Sequence, residues 1–182
     1  MAKFIEQAID AWMTNFFTTQ MGAESSYDTL RLEEIKLANP RSQVDWADWT
    51  LPALAFSTRL AFRRPAGHGL GKLRLYRAIP YTLTFVTLGN EQAEARDMVL
   101  ELIARAETAF SNITSSDING AITTDSGERF RRICYYANEE AGATDVERAA
   151  GMSRTRFYKN NNNGTVWGVG DYTVVFLTTT GG

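Results

Sequence analysis

Residues 73–90, with the sequence LRLYRAIPYTLTFVTLGN, decide the fold of this chain. Apolar residues alternate with others from Leu73 to Thr87, and this period of two predicts a β-strand. Arg77 interrupts the apolar face and Pro80 cannot donate a backbone hydrogen bond, so we expect the strand to bend or to lie at a sheet edge near these residues. The predicted apolar face consists of Leu73, Leu75, Ile79, Tyr81, Leu83 and Phe85.

A partner strand is predicted on the N-terminal side, from Leu51 to Phe62. The segment from Pro65 to Gly71 follows it and contains three glycines, which adopt the positive φ angles of tight turns without steric cost. We therefore expect a long β-hairpin with its tip at Pro65 to Gly71.

An α-helix is predicted directly after the hairpin. Asn90 is the expected N-cap, and Glu91 and Glu94 lie near the positive end of the helix dipole. The helix should extend to about Ser111, because apolar residues recur every three or four positions, as they do in a helix packed on a sheet. These residues are Val99, Leu102, Ile103, Ala106 and Phe110.

Residues 3–20 are predicted to form an N-terminal amphipathic helix whose large apolar side chains share one stripe. The stripe is either ordinary core or a surface that docks on a neighbouring subunit. In the second case Trp12, Phe16 and Phe17 are the candidate subunit interface residues. The next segment, Ser25 to Leu37, fits a helix and a strand almost equally.

The second half of the chain begins with residues 112–127, which are rich in Ser, Thr, Asp, Asn and Gly and predict a loop or a short strand. Glu128 to Asn138 predicts a strand, and Thr144 to Glu147 has the capping-box spacing that begins a short helix. The two expected faces of that strand carry Phe130, Cys134 and Tyr136 against Arg129, Arg131 and Tyr135.

The composition of Asn160 to Gly164 is typical of a mobile linker. A last strand is predicted from Val166 to Thr179. Its two faces are expected to carry Tyr172, Val174 and Phe176 on one side and Val175 and Leu177 on the other.

These elements predict an α+β fold, with an antiparallel or mixed β-sheet, a long hairpin, and helices packed on one face. We expect a single domain over residues 1–182. Within it, residues 1–20 form the N-terminal helix, 51–111 the hairpin and helix core, 112–164 a possible insertion, and 165–182 the C-terminal strand.

The composition is that of an ordinary globular protein, with 44% hydrophobic and 22% charged residues among 182. The single cysteine excludes an intrachain disulfide and a cysteine-rich zinc site. Glu6 and Asp10 interrupt any signal-peptide apolar run, and no segment approaches 18 apolar residues. We therefore expect a soluble, intracellular protein that does not enter a membrane.

The stretch from Trp49 to Asn90 contains no Asp or Glu and six Lys and Arg residues. Because the whole chain has a net charge of −2, the rest of it carries about −8. This asymmetry indicates either a solvated hairpin or a surface that faces nucleic acid or an acidic protein. The candidate DNA- or partner-facing residues are Arg63, Arg64, His68, Lys72 and Arg74.

No catalytic, cofactor-binding or metal-binding constellation is visible. His68 is the only histidine; it lies in a predicted turn, whereas Cys134 lies in a predicted buried strand, which argues against a Cys-His pair. Residues 145–159 are similar to the helix-turn-helix core of TetR- and AraC-like regulators, with Arg154 to Tyr158 as the recognition helix. That similarity offers an alternative function, a nucleic-acid-binding or regulatory module.

The order of elements resembles that of tail-terminator and head-to-tail connector proteins of long-tailed bacteriophages. The residues that carry the resemblance span about 1–111 and 165–182. They are Phe4 to Phe17, Leu51 to Phe62, Leu73 to Thr87, the Gly-Asn-Glu sequence at Gly89, Val99 to Phe110, and Gly170 to Phe176.

The resemblance implies a non-catalytic structural subunit of the virion, assembled in the host cytoplasm, without a cofactor. Such subunits form homo-oligomeric rings, most often of six, that cap the tail tube and join it to the neck or connector protein. DNA passes through the lumen of the ring without sequence recognition, which would give the basic hairpin a physical use.

Overall fold

The computed structural model describes residues 4–23, 25, 30–38, 46–58, 62–69, 72–114, 117–118, 122, 128–137, 143 and 145–180. Helices and a mixed sheet confirm the α+β class. The helices are α1 (Ile5–Met21), α2 (Gln92–Ser111) and α3 (Asp145–Arg148). The strands are β1 (Glu34–Leu37), β2 (Ala53–Thr58), β3 (Phe62–Gly69), β4 (Lys72–Gly89), β5 (Arg129–Cys134), β6 (Ser153–Lys159) and β7 (Val166–Thr180).

Two long antiparallel strands, β4 and β7, form the centre of the sheet. Their pairing runs from Leu75 opposite Thr180 to Gly89 opposite Val166. The other edge of β4 pairs with β3 and then β2, and the other edge of β7 pairs with β5 and β6. The short strand β1 is parallel to β2, which makes the sheet mixed.

The expectation that the strand lies at a sheet edge near Pro80 is wrong, because β4 is central. β2 pairs with β4 up to Tyr81, and the pairing of β3 begins at Ala78. The Pro80 carbonyl accepts a hydrogen bond from the Thr58 hydroxyl at 3.1 Å, so the missing N–H of Pro80 faces this junction as well. The proline is tolerated because neither flanking strand requires its donor there.

Helices α1 and α2 cover the same face of the sheet. Their buried residues pack in one cluster with Ile79, Leu83 and Phe85 of β4 and Phe176 of β7. Helix α2 approaches β7 closely, since a Cβ added to Gly168 would lie 2.6 Å from the carbonyl oxygen of Ala95. The predicted helix stripe is confirmed: Val99, Leu102, Ile103, Ala106 and Phe110 are all buried.

The opposite face of the sheet carries two smaller apolar clusters. One cluster contains Trp46, Val86 and Val169, and the other contains Ala78, Cys134, Ala150, Val175 and Leu177. These residues alternate along β4 and β7 with those beneath the helices, which confirms the predicted division of β7 into two apolar faces.

A β-bulge in β5 contradicts the predicted faces of that strand. Phe130 pairs with Thr178, whereas Arg132 pairs with Leu177, so Arg131 is the extra residue. The bulge shifts the alternation by one residue. As a result Phe130 packs beneath the helices and Cys134 packs on the opposite face, while Tyr136 is exposed.

Several predicted boundaries also change. The N-cap of α2 is Glu91 rather than Asn90, and Glu94 instead accepts hydrogen bonds from the backbone and the amide of Asn90, at 2.7 and 3.1 Å. β3 continues through Pro65 to Gly69, so strand pairing occupies most of the predicted tip. The predicted strand from Leu51 to Phe62 is β2 followed, after undescribed residues, by β3.

Residues 160–164 form a hydrogen-bonded hairpin loop instead of the predicted linker. The Asn160 N–H donates a hydrogen bond to the Thr165 carbonyl oxygen at 2.7 Å, and the Thr165 N–H donates to the Asn163 side-chain oxygen at 3.1 Å. Gly164 has a φ of 77°. Two strands from 112–164 also join the sheet, namely β5 and β6. Thr144 and most of the predicted loop at 112–127 lie outside the described residues.

Candidate functional site

The β3–β4 hairpin is the first candidate surface. We call Phe62–Gly69 and Lys72–Ala78 the arm. Gly69 pairs with Lys72, His68 with Leu73, and Gly67 with Arg74. The last described pair between β4 and β7 is Leu75 with Thr180. Among the described strands, residues 72–74 therefore pair with β3 alone.

The five predicted basic residues of the hairpin fall into two groups along the arm. Arg63 and Arg64 lie at its base, opposite Arg77 and Tyr76. His68, Lys72 and Arg74 lie in its outer pairs, near the turn. The register therefore places all five within one antiparallel ladder.

Arg77 anchors the base of the arm. Its guanidinium is buried and donates from Nη1 to both carboxylate oxygens of Glu128, at 3.2 and 2.9 Å. Nη2 donates to Glu6 of α1, and the Thr178 hydroxyl donates to Glu128. The ion cluster thus joins α1, β4, β7 and the residue before β5.

Next to this cluster, the Tyr81 hydroxyl lies 2.8 Å from Oδ1 of Asp10 and 3.2 Å from the carbonyl oxygen of Glu6. Burial raises the pKa of the Asp10 carboxyl, the hydrogen bond from Tyr81 lowers it less strongly, and the charge of Glu6 adds to the increase. Burial also raises the pKa of Tyr81, as does the charge of Asp10. Tyr81 is therefore held as a protonated donor.

The candidate interface residues of α1 pack inward. Phe17 is fully buried, so it is a core residue and the interface expectation is wrong for it. The ring of Phe16 stacks on that of Phe110 at 5.3 Å between centroids, and Trp12 meets Phe176 edge-on at 5.9 Å. Trp12 and Phe16 are only partly buried, so each still presents part of its surface.

A groove of about 630 Å³ lies at the other end of the sheet from the arm. We call it the far-end groove. Trp49 and Trp167 supply its aromatic surface, and Arg31, Glu33 and Asn160 supply its polar groups. The remaining lining residues are Leu30, Ala47, Leu51, Pro52, Leu88 and Met98.

Among the described residues, the far-end groove is lined by one acidic and one basic side chain, those of Glu33 and Arg31. Glu33 lines it and Asp48 lies in the chain between two lining residues. Within the part of the chain that the structure describes, neither has a basic group within 4.0 Å. The ring of Trp49 accepts the ammonium group of Lys36 at 4.9 Å from its centroid. Composition could not reveal this groove, because its lining comes from six separate stretches of the chain.

The helix-turn-helix interpretation of residues 145–159 is wrong. Only Asp145–Arg148 is helical, and the expected recognition helix is the strand β6. β6 and β5 pair with the same edge of β7, at different positions along it. Both β5 and β6 carry exposed basic residues. These residues are Arg129, Arg131, Arg132, Arg154 and Lys159; we call them the basic edge.

No protein-family model and no curated protein matches this chain. Across the described ranges, no group of three or more His, Cys, Asp or Glu is arranged to hold a metal ion. No described helix combines the length and apolar composition that a membrane crossing requires.

Proposed function

We propose that this chain is a structural subunit of a phage tail or neck, which forms a ring by self-association and acts by binding rather than catalysis. The observation that carries the proposal is the arm. It is a β-hairpin without a carboxylate in its sequence, and Arg77 fixes its base to α1 through Glu6. An anchored basic hairpin is suited to contact a partner with negative charge.

Two partners fit that charge in the proposed ring. DNA in the lumen would be attracted through its phosphates without sequence recognition. An acidic face of a neighbouring subunit would pair with the same side chains. The ring, with six subunits as the expected number, would cap the tail tube and join it to the neck or connector protein.

Light scattering coupled to size-exclusion chromatography, together with negative-stain images, tests the proposal. The purified chain should form closed rings, either alone or on tail-tube ends. The variant Arg63→Gln, Arg64→Gln, Lys72→Gln and Arg74→Gln should assemble more weakly and with less dependence on salt, because fewer charges contribute. Its far-UV circular dichroism should match the parent.

A control variant removes four basic residues outside the arm, at Arg129, Arg148, Arg154 and Lys159. These side chains are exposed, so their loss should leave assembly unchanged. A parent chain that stays monomeric at every salt concentration, with and without tube ends, contradicts the proposed function. Equal weakening by both variants would show that net charge, and not the arm, controls assembly.

The basic edge favours a second candidate function, non-specific nucleic-acid binding. Its arginines and lysine lie along two strands that pair with successive parts of β7, and such patches bind phosphate with a strong dependence on salt. A variant that replaces Arg129, Arg154 and Lys159 of the basic edge with Gln tests this function. If it loses duplex DNA binding while the variant with four substitutions in the arm retains it, the basic edge is the nucleic-acid surface.

A further inference from the structure

We propose that the far-end groove binds a neutral carbohydrate chain. The inference goes beyond the proposed ring assembly and does not depend on it, because no residue of the arm lines this groove. Three features of the described lining carry it. These are the aromatic surface, the balance of charge, and the hydrogen bonds that fix the groove walls.

Two partly exposed tryptophans give the groove its aromatic surface. Trp167 lies in β7, and its ring centroid is 6.0 Å from that of the buried Trp46. The Trp49 N–H donates to the Trp46 carbonyl oxygen at 3.1 Å. The Lys36 ammonium lies over one face of Trp49, so the groove receives the remaining surface of this ring together with that of Trp167. Sugar rings pack on aromatic surface, because their C–H groups are slightly positive and the face of an indole is negative.

The polar groups of the groove favour a ligand without net charge. Among the described lining residues, Glu33 brings a negative charge, Arg31 brings a positive charge, and Asn160 brings a neutral amide. A carboxylate accepts hydrogen bonds, a guanidinium donates them, and an amide does both. The hydroxyl groups of a sugar also donate and accept, so one neutral chain can bind all three side chains.

The Glu33 carboxylate, which is exposed to water, argues against other classes of ligand. A purely apolar molecule would displace that water without replacing its hydrogen bonds, which is costly. Proline-rich peptides also bind aromatic grooves, but prolines have no N–H to donate to a carboxylate. The phosphates of a nucleic acid would be repelled by it. Glu33 therefore selects a ligand that carries hydroxyl donors.

Hydrogen bonds to neighbouring elements hold the groove walls in place. Arg105 of α2 donates from Nη1 to the Leu30 carbonyl oxygen at 2.6 Å, and the Glu33 N–H donates to the Pro52 carbonyl oxygen at 2.8 Å. The volume of about 630 Å³ lies within the range of about 300–1,000 Å³ that is usual for ligand sites. A wall that is already ordered loses little conformational entropy when a ligand binds.

An array of immobilised neutral and acidic oligosaccharides, probed with the whole chain, tests the inference. We expect binding to at least one neutral oligosaccharide, and isothermal titration calorimetry with that sugar measures its affinity. Trp49→Ala should weaken binding at least about tenfold, because it removes a buried aromatic contact. Glu33→Gln should weaken it at least about threefold, because a neutral amide oxygen is a poorer acceptor than a carboxylate.

Two matched controls make the same kinds of change outside the groove, namely Trp12→Ala in α1 and Glu91→Gln at the start of α2. Both should bind the sugar within about twofold of the parent. Far-UV circular dichroism checks the fold of each variant. Glu33→Gln changes an exposed residue without changing its size, so it tests the groove even if Trp49→Ala does not fold.

Several outcomes overturn the inference. One is that the chain binds no neutral oligosaccharide, and another is that the groove variants bind as well as the controls. Tighter binding of an acidic oligosaccharide, a polyproline peptide or single-stranded DNA than of any neutral sugar also overturns it. A chain that binds the sugar and never assembles contradicts the proposed function alone.

Discussion

Arg77 is the residue on which the geometry of the arm depends. It lies on the same face of β4 as Ile79 and Tyr81, beneath the helices, where an unpaired charge would be very costly. Two carboxylates, Glu6 and Glu128, compensate it. The sequence signals this residue as a charge in an apolar alternation. It does not signal the partners, which are 71 and 51 residues away.

Asp10 gives the molecule a pH dependence that a substitution can isolate. Its pKa in the folded protein is raised above the ordinary 3.8, so the folded state binds the proton more tightly than the unfolded chain does. The resulting stabilisation is fully present below 3.8 and is lost as pH rises through the raised pKa. Asp10→Asn cannot titrate. We therefore expect its free energy of unfolding, relative to the parent, to increase as pH rises, measured by urea unfolding at several pH values.

Asp117→Asn provides a control of opposite sign. Hydrogen bonds from the side chain and backbone of Thr114 lower the pKa of Asp117, so its stabilisation is present above the ordinary value and is lost as pH falls. This variant should lose stability relative to the parent as pH rises. Parallel pH profiles for the parent and Asp10→Asn would contradict the role given to Asp10.

At the scale of elements, α2 offers a matched pair of substitutions. Leu102 lies on the buried face of α2 and is fully buried, whereas Leu100, two residues earlier, is 47% exposed. Leu102→Ala should reduce the free energy of unfolding by about 2–5 kcal/mol, because it removes buried methyl groups and leaves a cavity. Leu100→Ala should change it by less than about 0.5 kcal/mol. Chemical denaturation measures both changes in the free energy of unfolding. Equal losses in the two variants would contradict the assignment of Leu102 to the buried face of α2.

Elements with strong local periodicity could be predicted from the sequence, and α1, α2, β4 and β7 are the examples. β6 could not, because the residues from Ser153 to Lys159 alternate weakly and become a strand by pairing with β7. Non-local pairing of this kind leaves no local pattern. The bulge at Arg131 was missed for a related reason, since the register depends on which residues of β7 lie opposite.

For the whole molecule, we expect a single cooperative unfolding transition. Each apolar cluster among the described residues takes side chains from both β4 and β7, so none can separate while these strands stay paired. Tryptophan fluorescence, far-UV circular dichroism and labelling of the buried Cys134 thiol should therefore give coincident urea midpoints. Labelling of Cys134 at a clearly lower urea concentration would show that β5 and α3 unfold separately.

Of the arm and the far-end groove, only the arm could be predicted from the sequence. The missing carboxylates between Trp49 and Asn90 pointed to the hairpin because charge is a property of composition. No feature of the composition predicted the far-end groove. It forms where Trp49, Leu88, Met98 and Trp167 come together, and their proximity depends on the pairing of β4 with β7 and the packing of α2.

Pro80 also limits the errors that this sheet can make during folding. A strand that slides by two residues keeps its side chains on the correct faces, so apolar patterning alone does not prevent such a slip. If β2 or β3 slid along β4 across Pro80, one of its carbonyl groups would face a residue without an N–H. A buried carbonyl left without a donor costs about 1–3 kcal/mol. The proline therefore acts as a stop between two strands that share one edge, and it favours a hairpin of fixed length.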